Sequence, residues 1–249
     1  MRTHKRMVTA AILLLFLPLT GCWDRREIDD VGIVLGIGFD ESNGKQSVSM
    51  VHQFAVPKQF AAKESGSSQT NYLNLVNEGV SVFSNIRELS TRAERSPSYE
   101  HLRMIVISEK VARSFDLNNI IDFLMRNTET RRTIRVAITQ GKARDVFEKR
   151  GIISNPSLAI RELSDNWRTT LMMAPELKLG DMSEQLTGKT SFVVPQIEPF
   201  GKEAKSAGAA VVDGRKGSMI GWLSENEVAG LNLLQGRKKS SGVIAAKIR

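Results

Sequence analysis

The sequence predicts a mixed α+β fold in which helices pack on mixed sheets, an N-terminal αβ domain being followed by a smaller, incomplete αβ region. Three observations predict it. Short β-branched and apolar runs, "VGIVLGIGF", "LRMIVI" and "TIRVAIT", recur along the chain. Between them, apolar residues return at helical spacing. Composition then shifts over 187–206, where Gly, Pro, Ser and Lys crowd together. Strands alternating with helices bury their apolar faces most simply as layers on one another.

Each element has a local reason. Val31–Phe39 is β-branched and apolar and reads as a strand. Asn43-Gly44 supplies the residues of a type I′ turn. Beyond it Val48, Met50, His52, Phe54 and Val56 alternate with more polar neighbours, a period of two that predicts a second strand with one buried face. Pro57 ends it, and the polar stretch to Asn71 reads as a loop. Leu73, Val76, Val80, Phe83, Ile86 and Leu89 predict one long amphipathic helix over 70–95. A strand follows at 102–107, a helix around Ile120–Met125, a strand at 133–139 and helices over 143–149 and 156–167, the last opened by Asn155-Pro156 as cap and first residue. In the C-terminal part a hairpin centres on Asp213-Gly214, and Ser224 with Glu227 forms a capping box for a helix that ends at Gly236. The tail "GVIAAKIR" starts like a strand in need of a partner. The expected divisions are therefore a signal peptide at 1–21, a tether at 22–30, a domain over 31–190 and a second region over 191–249.

Composition bounds the function. The chain has 249 residues, 41% hydrophobic and 25% charged, which excludes wholesale disorder. Its formal charge is +8, from 35 lysines and arginines against 27 acids. Arg2, Lys5 and Arg6 fall in the expected signal peptide; without them 32 basic residues remain, a net +5. That excess suits an anionic membrane surface and is too small to argue for nucleic acid.

The N-terminal stretch reads as a processing signal. "MRTHKR" is a basic n-region, and the 13 apolar residues that follow it are too few to span a bilayer, which takes about 20. They lead into Leu19-Thr20-Gly21-Cys22, which resembles a bacterial lipobox. Lipidation of Cys22, the one cysteine of the chain, is favoured over an uncleaved anchor or a free thiol. Trp23 suits a headgroup interface, and Arg25 and Arg26 either meet lipid phosphates or belong to a solvated tether with Asp24, Glu27, Asp29 and Asp30.

No catalytic set assembles. "LTGKTS" at 186–191 has Ser183 where a phosphate-binding loop needs glycine, and a strand in place of the helix that should follow. Gly32, Gly36 and Gly38 fail the dinucleotide spacing at Glu41, and allow the close approach of a helix or strand instead. His52 on an apolar strand face reads as a hydrogen-bonded core residue, and His101 as structural. Two separated histidines and a consumed cysteine make neither a zinc cluster nor a nucleophile pair, so no metal or cofactor is expected. Arg126, Arg131, Arg132 and Arg135 are the densest positive feature; they contact an anion or an acidic partner, or they form a solvated connection with ion pairs to Glu129.

Together, "GCWDRREIDDVGIVLGIGFD", "HLRMIVISEKVAR", "IIDFLMRNTETRRTIRVAITQGKARDVFE" and "GAAVVDGRKGSMIGWLSENEVAGLNLLQG" resemble the Ger(x)C family of spore germination lipoproteins over essentially the whole mature chain. The resemblance implies a lipid on Cys22, a place on the outer face of the cell membrane and in the inner membrane of the spore, and no catalytic residue. It implies two partners, a multi-spanning A-type subunit and a permease-like B-type subunit of a germinant receptor. Members of the family carry a further C-terminal domain beyond the region that ends here at Arg249, so the chain is expected to be either a truncated form or a short paralogue. The alternative function is a lipoprotein that itself binds a small ligand, which predicts a deep pocket between two lobes. An extracytoplasmic hydrolase would need paired, perturbed carboxylates in a cleft.

Overall fold

The computed structural model describes residues 2–7, 27, 30–42, 47–56, 70–149 and 151–237. Cys22, Trp23, Arg25 and Arg26, the Asn43-Gly44 turn, the loop 57–69 and the tail 238–249 lie outside the described residues. The chain divides into two compact units, Met1–Val31 and Gly32–Arg249. In the first, residues 2–7 are helical.

The second unit is built on one ten-stranded mixed sheet. In chain order its elements are β1 (Val31–Glu41), β2 (Val48–Ala55), β3 (Tyr72–Gly79), α1 (Val82–Arg92), β4 (Ser96–Ser98), β5 (Met104–Ser108), α2 (Glu109–Ser114), α3 (Leu117–Arg126), β6 (Arg135–Thr139), α4 (Ala143–Phe147), α5 (Pro156–Asp165), β7 (Leu177–Lys178), α6 (Leu179–Thr187), β8 (Phe192–Phe200), β9 (Glu203–Asp213), β10 (Ser218–Leu223) and α7 (Glu225–Leu234). The strand order is β10-β9-β8-β6-β5-β1-β2-β3, with β4 beside β1 and β7 beside β6. Neighbours β1, β5 and β6 are parallel; β1–β2–β3 and β8–β9–β10 are antiparallel meanders at either end.

Every residue of β5 and β6 is buried, as expected of parallel strands covered by helices on both faces. On one face Val82, Leu89, Val111, Leu117, Ile121, Leu124 and Met182, from α1, α2, α3 and α6, pack on Ile37, Phe39, Ile105, Ile107, Val136 and Ile138. On the other, Ala143, Val146, Phe147 and Ile160 from α4 and α5 pack on Met104, Val106 and Ala137. β2 is also buried on both faces over seven of its eight residues, where its alternation predicts only one. Its intervening residues, Ser49, Val51 and Gln53, lie inside as well.

The helix expected over 70–95 is instead a strand and a shorter helix. Spacings of three and four between Leu73, Val76 and Val80 mimic a helical face, yet Leu73 and Val80 are 51% and 79% exposed. Tyr72–Gly79 pairs with β2 along its whole length, from Ala55↔Tyr72 to Val48↔Gly79. Pairing with β2 outweighs local periodicity here. The helix proper begins after Ser81, which is extended (φ −151°, ψ 161°) and exchanges capping bonds with Ser84.

Other local signals agree with the structure. Asn155 accepts from the Leu158 N–H and Pro156 is the first residue of α5. Ser224 and Glu227 form the capping box of α7, and Gly236 follows it in the left-handed conformation (φ 71°). The sheet runs across residue 190 through a narrow seam, the single parallel pair Ile138↔Gln196 between β6 and β8.

Candidate functional site

Of the residues singled out in the sequence, the arginines are dispersed. Arg126 pairs with Asp122 one turn earlier on α3 (2.8 Å), and Arg132 with Glu184 of α6 (2.7 Å). Arg135 is drawn inside at the start of β6, its side chain 9% exposed, against Asp165 (2.6 Å) and Glu176 (2.8 Å), and it also donates to the Arg161 carbonyl. Arg168 reaches the same two carboxylates from outside. Burial opposes ionisation of Asp165, but hydrogen bonds from Arg135 and Arg168 outweigh it and hold the carboxyl below its ordinary range. Arg131 is exposed. These pairs replace the expected ones to Glu129, whose carboxylate accepts from the Tyr99 backbone N–H at 2.8 Å.

His52 is fully buried, its Nδ1 3.4 Å from the Tyr99 hydroxyl and the two rings edge to face at 6.0 Å. Burial, with a smaller opposing pull from the Asn77 side chain, lowers its pKa to about 3. It is a neutral core histidine at physiological pH. On the same side of the sheet Asn85 donates to the Val48 carbonyl (3.0 Å) and Asn77 donates to Asn85 Oδ1 (3.0 Å). The next residue of β2, Gln53, points to the other side and is fully used. Its Nε2 donates to Asn74 Oδ1 (2.9 Å) and the Phe147 carbonyl (3.0 Å), while Oε1 accepts from Ser157 N (2.9 Å) and Oγ (2.6 Å). β2 thus carries the polar bonds that fix helices to both faces.

Gly36 and Gly38 of β1 make room on the α4–α5 side. A Cβ on Gly36 would collide with Ser157 Oγ and come within 2.6 Å of the Phe147 ring. One residue beyond Phe39, Asp40 accepts from the N–H groups of Ala143 (2.6 Å) and Arg144 (3.0 Å) and so closes the start of α4. Burial raises its pKa, with these two bonds pulling the other way.

A concavity lies between α3 and α6. It measures about 260 Å³ and is lined by Asn118, Asn119, Ile121 and Asp122 of α3 and by Ser183, Leu186 and Thr187 of α6. Ile121 and Leu186 are buried in the core below it. Ser183, Leu186 and Thr187 enter the sequence reading only through the rejected phosphate-loop stretch, because only packing of α3 on α6 brings these residues together. Among the described residues no group of three or more His, Cys, Asp or Glu side chains could hold a metal ion. No described helix is long and apolar enough to cross a membrane.

Residues 24–199 match the family model of the spore germination protein N-terminal domain. The chain belongs to this family. It is 28% identical to spore germination protein YndF of Bacillus subtilis, over 96% of this chain and 65% of that protein. To spore germination protein A3 of the same organism it is 30% identical, over 93% of this chain and 61% of that protein. Against these relatives, then, the chain spans 61% to 65% of their length. Among solved structures, that of the GerBC protein aligns with 82% of this chain and 56% of its own, at 23% identity and a TM-score of 0.44. The family span runs from before β1 to within β8, and therefore takes in the arginine connection, β2 with its polar bonds and the α3–α6 cleft.

Proposed function

We propose that the chain is the lipid-tethered subunit of a spore germinant receptor, acting by protein–protein contact in nutrient-triggered germination. The observation that carries this reading is the family match over 24–199 joined to the Leu19-Thr20-Gly21-Cys22 signal just before it. In this reading a diacylglyceryl group on Cys22 holds the protein to the outer face of the cell membrane, and to the inner membrane of the spore. Each acyl CH2 contributes about 0.8 kcal/mol, and two chains give stable attachment where one does not. Trp23, Arg25 and Arg26 then lie at the headgroups. Its partners are the A-type and B-type integral membrane subunits, and it carries out no catalysis. Arg131, exposed on the connection before β6, is the member of the arginine group assigned to a partner or headgroup contact.

Replacement of Cys22 by Ala tests the anchor. Fractionation of spores carrying Cys22→Ala is expected to move the protein from the membrane pellet to the soluble fraction, with slowed germination. Undiminished membrane retention overturns the anchoring role.

A further inference from the structure

β1, β5 and β6 run parallel and begin at one end of the sheet, where β2 finishes and β3 starts. Beyond the last β2–β3 pair, Ala55↔Tyr72, the Val56 N–H donates to the Asn71 carbonyl at 2.9 Å. Asn71 Nδ2 in turn donates to Ser154 Oγ at 2.7 Å, which ties the segment before α5 to this end. Two isoleucines of that segment face solvent: Ile152 is fully exposed and Ile153 is 36% exposed. Three cations belong to the same end. A Cβ on Gly32 would lie 3.5 Å from Arg95 Cβ; Arg103 directly precedes β5, and Arg131 is exposed before β6. Glu94 and Glu100 are exposed there too, which leaves a small cationic excess.

We propose that this end of the sheet rests on an anionic phospholipid surface, with Ile152 and Ile153 entering its headgroup layer. The inference rests on the membrane reading above and deepens it by naming the face that meets the lipid. Nine residues, 22–30, join the expected lipidation site to β1. Even fully extended they reach about 30 Å, which keeps the end where β1 begins close to the headgroups. A single exposed apolar residue would call for no explanation, but two adjacent ones share an end with the tether. Fully burying one isoleucine favours the apolar phase by about tenfold or more. The small excess of arginines selects anionic over neutral headgroups. Two isoleucines bury less than one acyl chain, which by itself binds only marginally and reversibly. The contact therefore orients a protein that its acyl chains retain. Val80 provides the contrast: it is 79% exposed, but it follows β3, about 25 Å along the strand from Tyr72.

The full-length chain carrying Cys22→Ala has no other cysteine. One environment-sensitive fluorophore can therefore be placed at Ile152→Cys or, for comparison, at Val80→Cys. Each protein is mixed with excess vesicles of phosphatidylglycerol or of phosphatidylcholine. On phosphatidylglycerol the label at 152 should shift to the blue and be quenched by lipids carrying a quencher near the headgroup, while the label at 80 stays unchanged. Co-sedimentation should be about fivefold weaker on phosphatidylcholine. The unlabelled pair Ile152→Ser/Ile153→Ser should keep its thermal midpoint and lose about tenfold in vesicle partition. Residues 1–21 are common to all these proteins, so the difference isolates the isoleucines. A label at 152 that does not respond to saturating lipid, equal shifts at 152 and 80, or unchanged partition of the serine pair overturns the proposal. So does a shift at 152 that arises only with protein-containing membrane extracts, which would make the face a protein contact. Since no acyl group is present in any arm, these outcomes are independent of the Cys22 anchor, which spore fractionation tests.

Discussion

The two sides of the β6–β8 seam are built differently. On the side holding β1, β2, β5 and β6, strands are buried on both faces, and polar side chains far apart in sequence meet inside: Gln53 with Ser157, and Arg135 with Asp165 and Glu176. On the other side β8, β9, β10 and α7 follow one another directly, paired by hairpins and capped by Ser224 and Glu227. Its charged pairs, such as Lys205 with Glu225 at 2.7 Å, lie nearer the solvent. The first region is held mainly by contacts across the chain; the second is paired mainly between neighbours, with buried Asn232 of α7 tying it back to the Leu171 and Met173 carbonyls. A substitution in the first should therefore spread, and one in the second should stay local.

The largest test removes a buried charge. Arg135→Met would leave Glu176, whose side chain is 11% exposed, with Arg168 as its remaining ion-pair partner. Breaking one partner of a buried pair costs about 3–5 kcal/mol, and the surviving Arg168 contact argues for the lower end. Urea denaturation should show the midpoint fall without a change in slope. A loss under 1 kcal/mol would mean that the pair barely outweighs its desolvation.

Next comes a matched pair of glycines. Gly36→Ala places a methyl against Ser157 Oγ and Phe147 in the middle of β1, an overpacking expected to cost about 1–3 kcal/mol. Gly221→Ala in β10 meets nothing within 4 Å, and should be neutral or slightly stabilising through the unfolded chain. Thermal denaturation of both decides whether the two sides differ in tightness; equal losses would erase the contrast.

The same contrast governs what could be read in advance. Asp213-Gly214, Ser224 with Glu227 and Gly236 act within a few residues, so the hairpin and helix beyond the seam were legible, as were the continuous apolar runs of β5 and β6. Tyr72–Gly79 was not, because its strand state depends on β2, some twenty residues earlier, and its apolar spacing points to a helix. His52 was legible as a core residue from its place in the alternation. The arginine group was visible as charge; Arg126 pairs locally with Asp122 on its own helix, but the pairs with Glu184, Asp165 and Glu176 depend on where α5, α6 and the segment before β7 lie. The cleft was not legible as a cleft, because its lining comes from two helices, α3 and α6, that meet only through packing.

The smallest effect at neutral pH concerns protons, and it again sets one side against the other. His52 has a native pKa of about 3 against 6.5 when unfolded, because burial disfavours the charged ring. Between those values the unfolded chain binds a proton that the native protein does not. Stability should therefore be fully present above about pH 6.5 and decline as pH falls toward 3. Asp40 works in the opposite direction, since burial raises its pKa and makes the native state the better proton binder in the acid range. Its contribution is common to the parent and to a His52→Gln variant, so the difference between their pH profiles isolates the histidine. Beyond the seam the shifted carboxyl is Glu227, exposed and lowered by hydrogen bonds from the Ser224 backbone and side chain. Its stabilisation is present above the unfolded value of 4.5 and is lost as pH falls below it, within α7 alone. Hydrogen exchange between pH 6.5 and 5 should then show β2 amides losing protection in the parent and not in His52→Gln, while α7 amides stay unchanged in both. Parallel profiles for parent and variant would mean that His52 is protonated inside the folded protein, and that the buried side tolerates charge there.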